Sequence, residues 1–165
     1  MNLNESGFIT DPFDLFKEME VFYMAIGIGH LAITVQDMEK SLDFYCNGLG
    51  FKHVFDFDRP ENGEPWIVYV HLGGDQFIEL FYGGEKEYHW DEHDRAYNHF
   101  CLAVDDMDAV IARLEKAGYA LRKQPKIGCD GNKQCWIDDP DGVRIEIMQL
   151  APDSPQSRVI RGEYE

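Results

Sequence analysis

The chain has 165 residues, 44% of them apolar, with 15 basic against 31 acidic side chains and a formal charge of −16. That length and apolar fraction fit one domain, or two tightly joined half-domains, with enough core to fold unaided, and they exclude general disorder. No stretch approaches the roughly 18 apolar residues of a membrane span, no basic-then-apolar leader opens the chain, and the acidic balance argues against nucleic acid as a partner.

Residues 1–23 resemble nothing later in the chain. Asp11-Pro12 is a helix-start signal, followed by Phe13, Leu15, Phe16, Met19 and Phe22 at helical spacing. The segment reads in two ways. It is either a helix packed on the body or on a partner subunit, or sequence upstream of a native start at Met24. The second reading follows because Met19-Glu20-Val21 can be encoded by a bacterial ribosome-binding sequence. Without residues 1–23 the charge would be −12.

From residue 24 the chain is written twice. GHLAITVQDMEKSLDFYC (29–46) aligns with NHFCLAVDDMDAVIARLE (98–115) at a shift of 69, placing His30 on His99, Val35 on Val104, Asp37 on Asp106 and Met38 on Met107. The first module, 24–82, is expected to run from a strand at 28–35 into a helix at 38–46, capped by Asp37 and ended by Gly48 and Gly50. Three strands near 51–57, 66–72 and 76–82 follow, separated by turns at 58–65 and Gly73-Gly74. A charged linker spans 83–97. The second module, 98–150, repeats the order with a strand at 98–104, a helix at 106–117 and strands near 119–123, 133–138 and 143–149. The turn Asp139-Pro140-Asp141-Gly142 joins the last two. The tail, 151–165, is polar and expected to be mobile.

Side chains alternate between the faces of a strand. Leu31, Ile33 and Val35 therefore share one face of the first strand, with His30, Ala32 and Thr34 on the other. Phe100, Leu102 and Val104 oppose His99, Cys101 and Ala103. Val143, Ile145 and Ile147 oppose Arg144, Glu146 and Met148. Glu79 stands between Phe77 and Phe81, where an unpaired carboxylate would cost several kcal/mol or take up a proton. Two histidines and two glutamates at equivalent places of two repeats point to a four-ligand metal site of His30, Glu79, His99 and Glu146. Such a nitrogen and oxygen donor set suits Zn, Ni, Co, Fe or Mn, with room for water. His53 and His71 have no counterpart and read as structural or exposed. His89 and His93 have helical metal-pair spacing but lie in the solvated linker. Cys101 reads as a small core residue beside His99. The four cysteines, Cys46, Cys101, Cys129 and Cys135, form no CxxC pair, so they read as free thiols in a reducing cytoplasm.

The patterns GHLAITVQDMEKSLDFYCNGLGF and DDPDGVRIEIMQ resemble the opening βα unit and closing hairpin of the vicinal-oxygen-chelate superfamily, the glyoxalase, bleomycin-resistance and extradiol-dioxygenase group. The resemblance implies an α+β fold: two βαβββ modules forming an open, cup-shaped mixed sheet around a divalent metal, with helices outside. Within that group a His, Glu, His, Glu set is similar to glyoxalase I, and the separations of 49, 20 and 47 residues resemble its short bacterial form. That likeness implies nickel or cobalt, with zinc as an alternative, and a homodimer whose sites are shared between chains. It also implies methylglyoxal detoxification, in which a hemithioacetal of a 2-oxoaldehyde becomes a 2-hydroxyacyl thioester through a metal-bound enediolate. Glu146 is then the expected base, and Glu79 returns the proton.

Two glutathione anchors of that family are missing. Thr34 stands where an arginine is expected and Gly83 where an asparagine is. Arg122 and Lys126 are the cations that could hold an anionic group instead. The alternatives are a metal-dependent epimerase or isomerase of an acyl thioester or keto sugar, and a bleomycin-resistance-like protein that binds a small molecule without turnover.

Overall fold

The computed structural model describes residues 27–163 except 94 and 96; the expected helix of residues 1–23 lies outside them. The first half forms β1 (His30–Thr34), α1 (Met38–Leu42), a π-helical stretch (Asp43–Gly48), β2 (Lys52–Asp58), β3 (Pro65–Gly73) and β4 (Gln76–Phe81). The second forms β5 (Phe100–Ala103), α2 (Met107–Lys116), β6 (Lys123–Ile127), β7 (Lys133–Asp138), β8 (Arg144–Gln149) and α3 (Pro155–Ile160). The strands make two four-stranded sheets, ordered β1-β4-β3-β2 and β5-β8-β7-β6. The first strand of each half runs parallel to the last, and the other neighbours are antiparallel. This is the α+β architecture of two βαβββ modules expected from the repeat. No helix among the described residues is long and apolar enough to cross a membrane.

The local structure follows from the sequence. Asp37 accepts from the backbone N–H of Lys40 at 3.2 Å, and Asp106 from that of Ala109 at 3.0 Å, so each module's first helix opens on an aspartate cap. The first helix does not continue regularly to Cys46. Leu49 N–H donates to Phe44 O and Phe51 N–H reaches back to Tyr45 O, widening the last turn. Phe44 and Tyr45, adjacent in sequence, are both fully buried there. Gly48 permits the turn to approach the second half, because a Cβ at that position would meet the Tyr119 ring at 3.1 Å.

One core serves both modules. Ile33, Val35, Phe44, Tyr45, Val70, Ile78 and Leu80 pack in the same cluster as Leu102, Met107, Leu114, Ile137, Ile145 and Ile147. Polar bonds cross the same junction. The Tyr45 hydroxyl donates to Asp139 Oδ2 at 2.9 Å, the Tyr119 hydroxyl donates to Asp43 Oδ2 at 2.6 Å, and Arg113 donates to the carbonyls of Cys46 and Asn47. The helix-bearing sides of the modules thus face each other, and the opposite sheet faces lie outside the shared core.

Three expectations need correction. β6 lies at Lys123–Ile127, not 119–123, because Tyr119 leaves α2 to pack edge-on against Phe44 at 5.0 Å and residues 119–122 serve as the connection. His99 immediately precedes β5 rather than lying within it. The tail holds an ordered helix, α3, capped by Ser154 and opened by Pro155, whose Gln156 bonds Asp130 and the buried Asn132.

Candidate functional site

The expected alternation is realised at all three strands. Ile33 and Val35, Leu102, and Ile145 and Ile147 are buried, while His30, Ala32, Thr34, Cys101 and Ala103 are exposed on the other face. In the first sheet the register aligns Phe55, Tyr69, Glu79 and Ala32 across β2, β3, β4 and β1. In the second it aligns Lys123, Trp136, Glu146 and Cys101 across β6, β7, β8 and β5. Directly paired residues share a face, so each sheet presents one glutamate in the middle of its outer face.

Each glutamate meets the histidine of its own module. His30 Nδ1 lies 3.5 Å from Glu79 Oε1, and His99 Nε2 lies 3.1 Å from Glu146 Oε2. The carboxylates are 9% and 12% exposed, the imidazoles 53% and 30%, so the acids sit at the floor and the rings at the rim. The other ring nitrogen of His99 lies 2.8 Å from Asn98 Oδ1. An imidazole nitrogen and a carboxylate oxygen converging in this way supply two of the four donors of a tetrahedral site, or two of the six of an octahedral one, for Zn, Ni or Co. Among the described residues, no three His, Cys, Asp or Glu side chains come together around one point. The chain therefore presents its four expected ligands as two separate pairs.

The surroundings of the two pairs differ. Around Glu79 the wall is aromatic. Tyr69 stacks on Phe55 at 4.4 Å and meets Phe57 and Phe77 edge-on, and Phe55 and Phe57 are about half exposed. Tyr69 is the cross-strand partner of Glu79, and that carboxylate pushes the phenol's pKa up. Around Glu146 the wall is mixed. Trp136 meets His99 edge-on at 4.7 Å and carries Lys123 over its ring at 5.5 Å. The Cys101 thiol is pushed up to about 12 by partial desolvation of its sulfur, although the residue as a whole is exposed, and by the Glu146 carboxylate. Cys101 lies on the His99 face, as expected, but is exposed and outside the core, contrary to its reading as a core residue.

Of the two expected substrate cations, Arg122 is paired with Asp138. Lys126 is exposed in β6 opposite Gln134, on the Trp136 face. Thr34 is exposed two register positions from Glu79's partner Ala32, and Gly83 adopts φ of 101°, a conformation that favours glycine. His53 pairs with Asp56, His71 bonds the Gly74 carbonyl at 2.9 Å, and His89 and His93 are exposed beside Glu87 and Glu92. A cavity of about 760 Å³ between the end of β1 and the β7–β8 turn contains none of the four expected ligands. The paired sheet faces, where imidazole and carboxylate meet, are the stronger site. Tyr69, Trp136, Lys123 and the Phe55–Phe57 wall were missed in the sequence. The alternation in Phe55-Asp56-Phe57 was the available signal, but its register against Tyr69 was not.

Comparison with known proteins agrees with this architecture. The family model described as the Glyoxalase/Bleomycin resistance protein/Dioxygenase superfamily matches residues 27–147. A probable lactoylglutathione lyase from Vibrio cholerae is 32% identical over 127 residues, covering 73% of this chain and 88% of the relative. A solved member of the same superfamily from Sphaerobacter thermophilus is 30% identical with a TM-score of 0.60, covering 78% of this chain and all of that one. An antibiotic binding protein from Streptomyces sp. CB03234 is 27% identical with a TM-score of 0.57, covering 79% and 100%. With its duplicated βαβββ units, and a family match over most of its length, the chain belongs to the glyoxalase, bleomycin-resistance and dioxygenase superfamily.

Proposed function

We propose that the chain is a glyoxalase I-like lyase and isomerase, converting a hemithioacetal of a 2-oxoaldehyde to a 2-hydroxyacyl thioester. The observation that carries this reading is the pair of matched His–Glu contacts, His30 with Glu79 and His99 with Glu146, on the outer faces of duplicated sheets. Lactoylglutathione lyases at about 30% identity support it. The donor set fits a divalent metal as two halves. A second copy of the chain would bring the His30–Glu79 face of one subunit against the His99–Glu146 face of the other. The free edges of β1 and β5, the outermost strands beside each histidine, favour that arrangement.

Residues His30, Glu79, His99 and Glu146 would hold one ion per site, Ni or Co before Zn, whose Lewis acidity lowers the cost of negative charge on two neighbouring substrate oxygens. Glu146 takes the C1 proton, and Glu79, from the opposite side, delivers a proton to C2. The hydroxyl proton on O1 passes to O2 as the carbonyl moves from C2 to C1, so the thioester is an isomer of the hemithioacetal with one carbon-bound and one oxygen-bound hydrogen relocated, and proton exchange with solvent resets the two carboxylates. Thr34 and Gly83 offer no charge to a glutathione carboxylate, so a thiol other than glutathione fits the site better. Of the two expected cations, Lys126 is the one with no carboxylate partner among the described residues, and it is the one proposed to meet an anionic group.

Elemental analysis of the purified protein, followed by turnover of methylglyoxal with several thiols after Ni, Co or Zn loading, tests the reading. About one metal per chain with turnover is expected, and Glu146→Gln should lower the rate on the order of 100-fold or more. The similarity to an antibiotic binding protein, together with the exposed aromatic wall, favours sequestration of a small molecule as the second reading. In that case Glu146→Gln leaves ligand binding intact and no metal is retained.

A further inference from the structure

We infer that Asn98 is a positioning residue for His99. The inference rests on the reading of His99 as a metal ligand.

His99 Nδ1 lies 2.8 Å from Asn98 Oδ1, and His99 Nε2 lies 3.1 Å from Glu146 Oε2. A carboxamide oxygen only accepts, so the Asn98 contact keeps a proton on Nδ1. That leaves Nε2, the nitrogen facing Glu146, to bind an ion. Trp136 braces the same ring edge-on at 4.7 Å. The imidazole is thus held at both nitrogens before any ligand arrives, which is how outer hydrogen bonds aim the lone pair of a ligating histidine.

Asn98 is itself tied down. Its carbonyl accepts from the Trp90 indole N–H at 2.7 Å, and the Trp90 ring carries the Arg144 guanidinium at 3.4 Å. The Tyr97 hydroxyl donates to the Arg144 carbonyl at 3.1 Å. Arg144 opens β8 two residues before Glu146. The segment that orients His99 is therefore anchored to the strand that carries its carboxylate partner.

The repeat does not reproduce this arrangement. Gly29 precedes His30 and offers its ring no side-chain acceptor, and that ring is 53% exposed against 30% for His99. His30 also stands farther from its glutamate, at 3.5 Å. The second module's imidazole is set in advance, and the first module's is not.

Asn98→Gly gives position 98 the residue type of the first module, and Asn98→Asp keeps an acceptor there. Co²⁺ affinity is titrated for both and for wild type. Solvent exchange of the His99 Nδ1–H resonance, which bound Co²⁺ shifts clear of the other protons, is followed in the same samples. We expect about tenfold weaker binding for Asn98→Gly, with the resonance lost to exchange. Asn98→Asp should bind as tightly as wild type or tighter and keep the resonance. The melting points of the metal-free proteins should agree, because Asn98 is exposed. The Asn98→Gly effect should vanish in a His99→Gln background, where a purely structural role would persist. Wild-type affinity and exchange in Asn98→Gly would overturn the inference and leave the functional reading standing, and so would equal losses in Asn98→Gly and Asn98→Asp. A wild-type protein that takes up no Co²⁺ would overturn both.

Discussion

Tyr45 and Asp139 show how a single hydrogen bond can carry the junction between two modules. The Tyr45 hydroxyl is fully buried and donates to Asp139, which also accepts from the backbone N–H groups of Asp141 and Val143. Burial raises the Asp139 pKa above 3.8, and the bonds from Val143, Tyr45 and Asp141 pull against that rise. An acid raised in the folded state stabilises the fold fully below its unfolded pKa, and that contribution is lost as pH climbs through the folded value. Tyr45→Phe removes one of the groups that limit the loss, so its destabilisation should grow with pH. Urea unfolding should show a cost of about 1–3 kcal/mol near pH 7 and a smaller one near pH 4. A cost independent of pH would mean that the hydroxyl does not act through the Asp139 charge. At this scale the sequence was most legible where chemistry repeated. His30, His99, Glu79 and Glu146 were visible because they recur at matched places. Tyr69, which breaks the match, drew no attention, because nothing in a duplicated pattern points to a residue without a counterpart; Cys101 was noticed beside His99 but read as core, whereas it is exposed.

Element boundaries were legible wherever a cap or turn residue set them. Asp37 and Asp106 mark both helix starts, and Asp139-Pro140-Asp141-Gly142 marks the last hairpin, where Gly142 takes φ of 83° to reverse the chain. Either Asp37→Ala or Asp106→Ala should cost about 1 kcal/mol in chemical unfolding, the usual worth of an N-cap. β6 was misplaced because its position depends on where Tyr119 docks against Phe44, a contact between modules that no local pattern records. The same limit applies to α3. Ser154-Pro155 was a legible start signal, but the helix is held by Gln156 on Asp130 and Asn132, which are remote in sequence.

For the whole molecule, the duplication predicted the two-module fold correctly, yet a single chain leaves its expected ligands as two pairs. If each complete site takes one pair from each of two copies, then chains lacking His30 and Glu79 and chains lacking His99 and Glu146 are each inactive alone. Mixed, unfolded and refolded together, they should recover about a quarter of the wild-type sites, since half of a random mixture is heterodimer and each heterodimer holds one intact site of two. No recovery, with heterodimers demonstrated by ultracentrifugation, would place both pairs of a working site in one chain.

The strand order has a consequence for how the protein is made. Every hydrogen-bonded neighbour in the first sheet lies between His30 and Phe81, so that sheet is topologically complete before the ribosome has added a single strand of the second. Its apolar back must then wait for Met107, Leu114, Ile145 and Ile147 to close the common core. A nascent chain paused in the 83–97 linker thus exposes a finished sheet with an open greasy side, the state in which a chaperone, or another nascent chain on the same message, would meet it first.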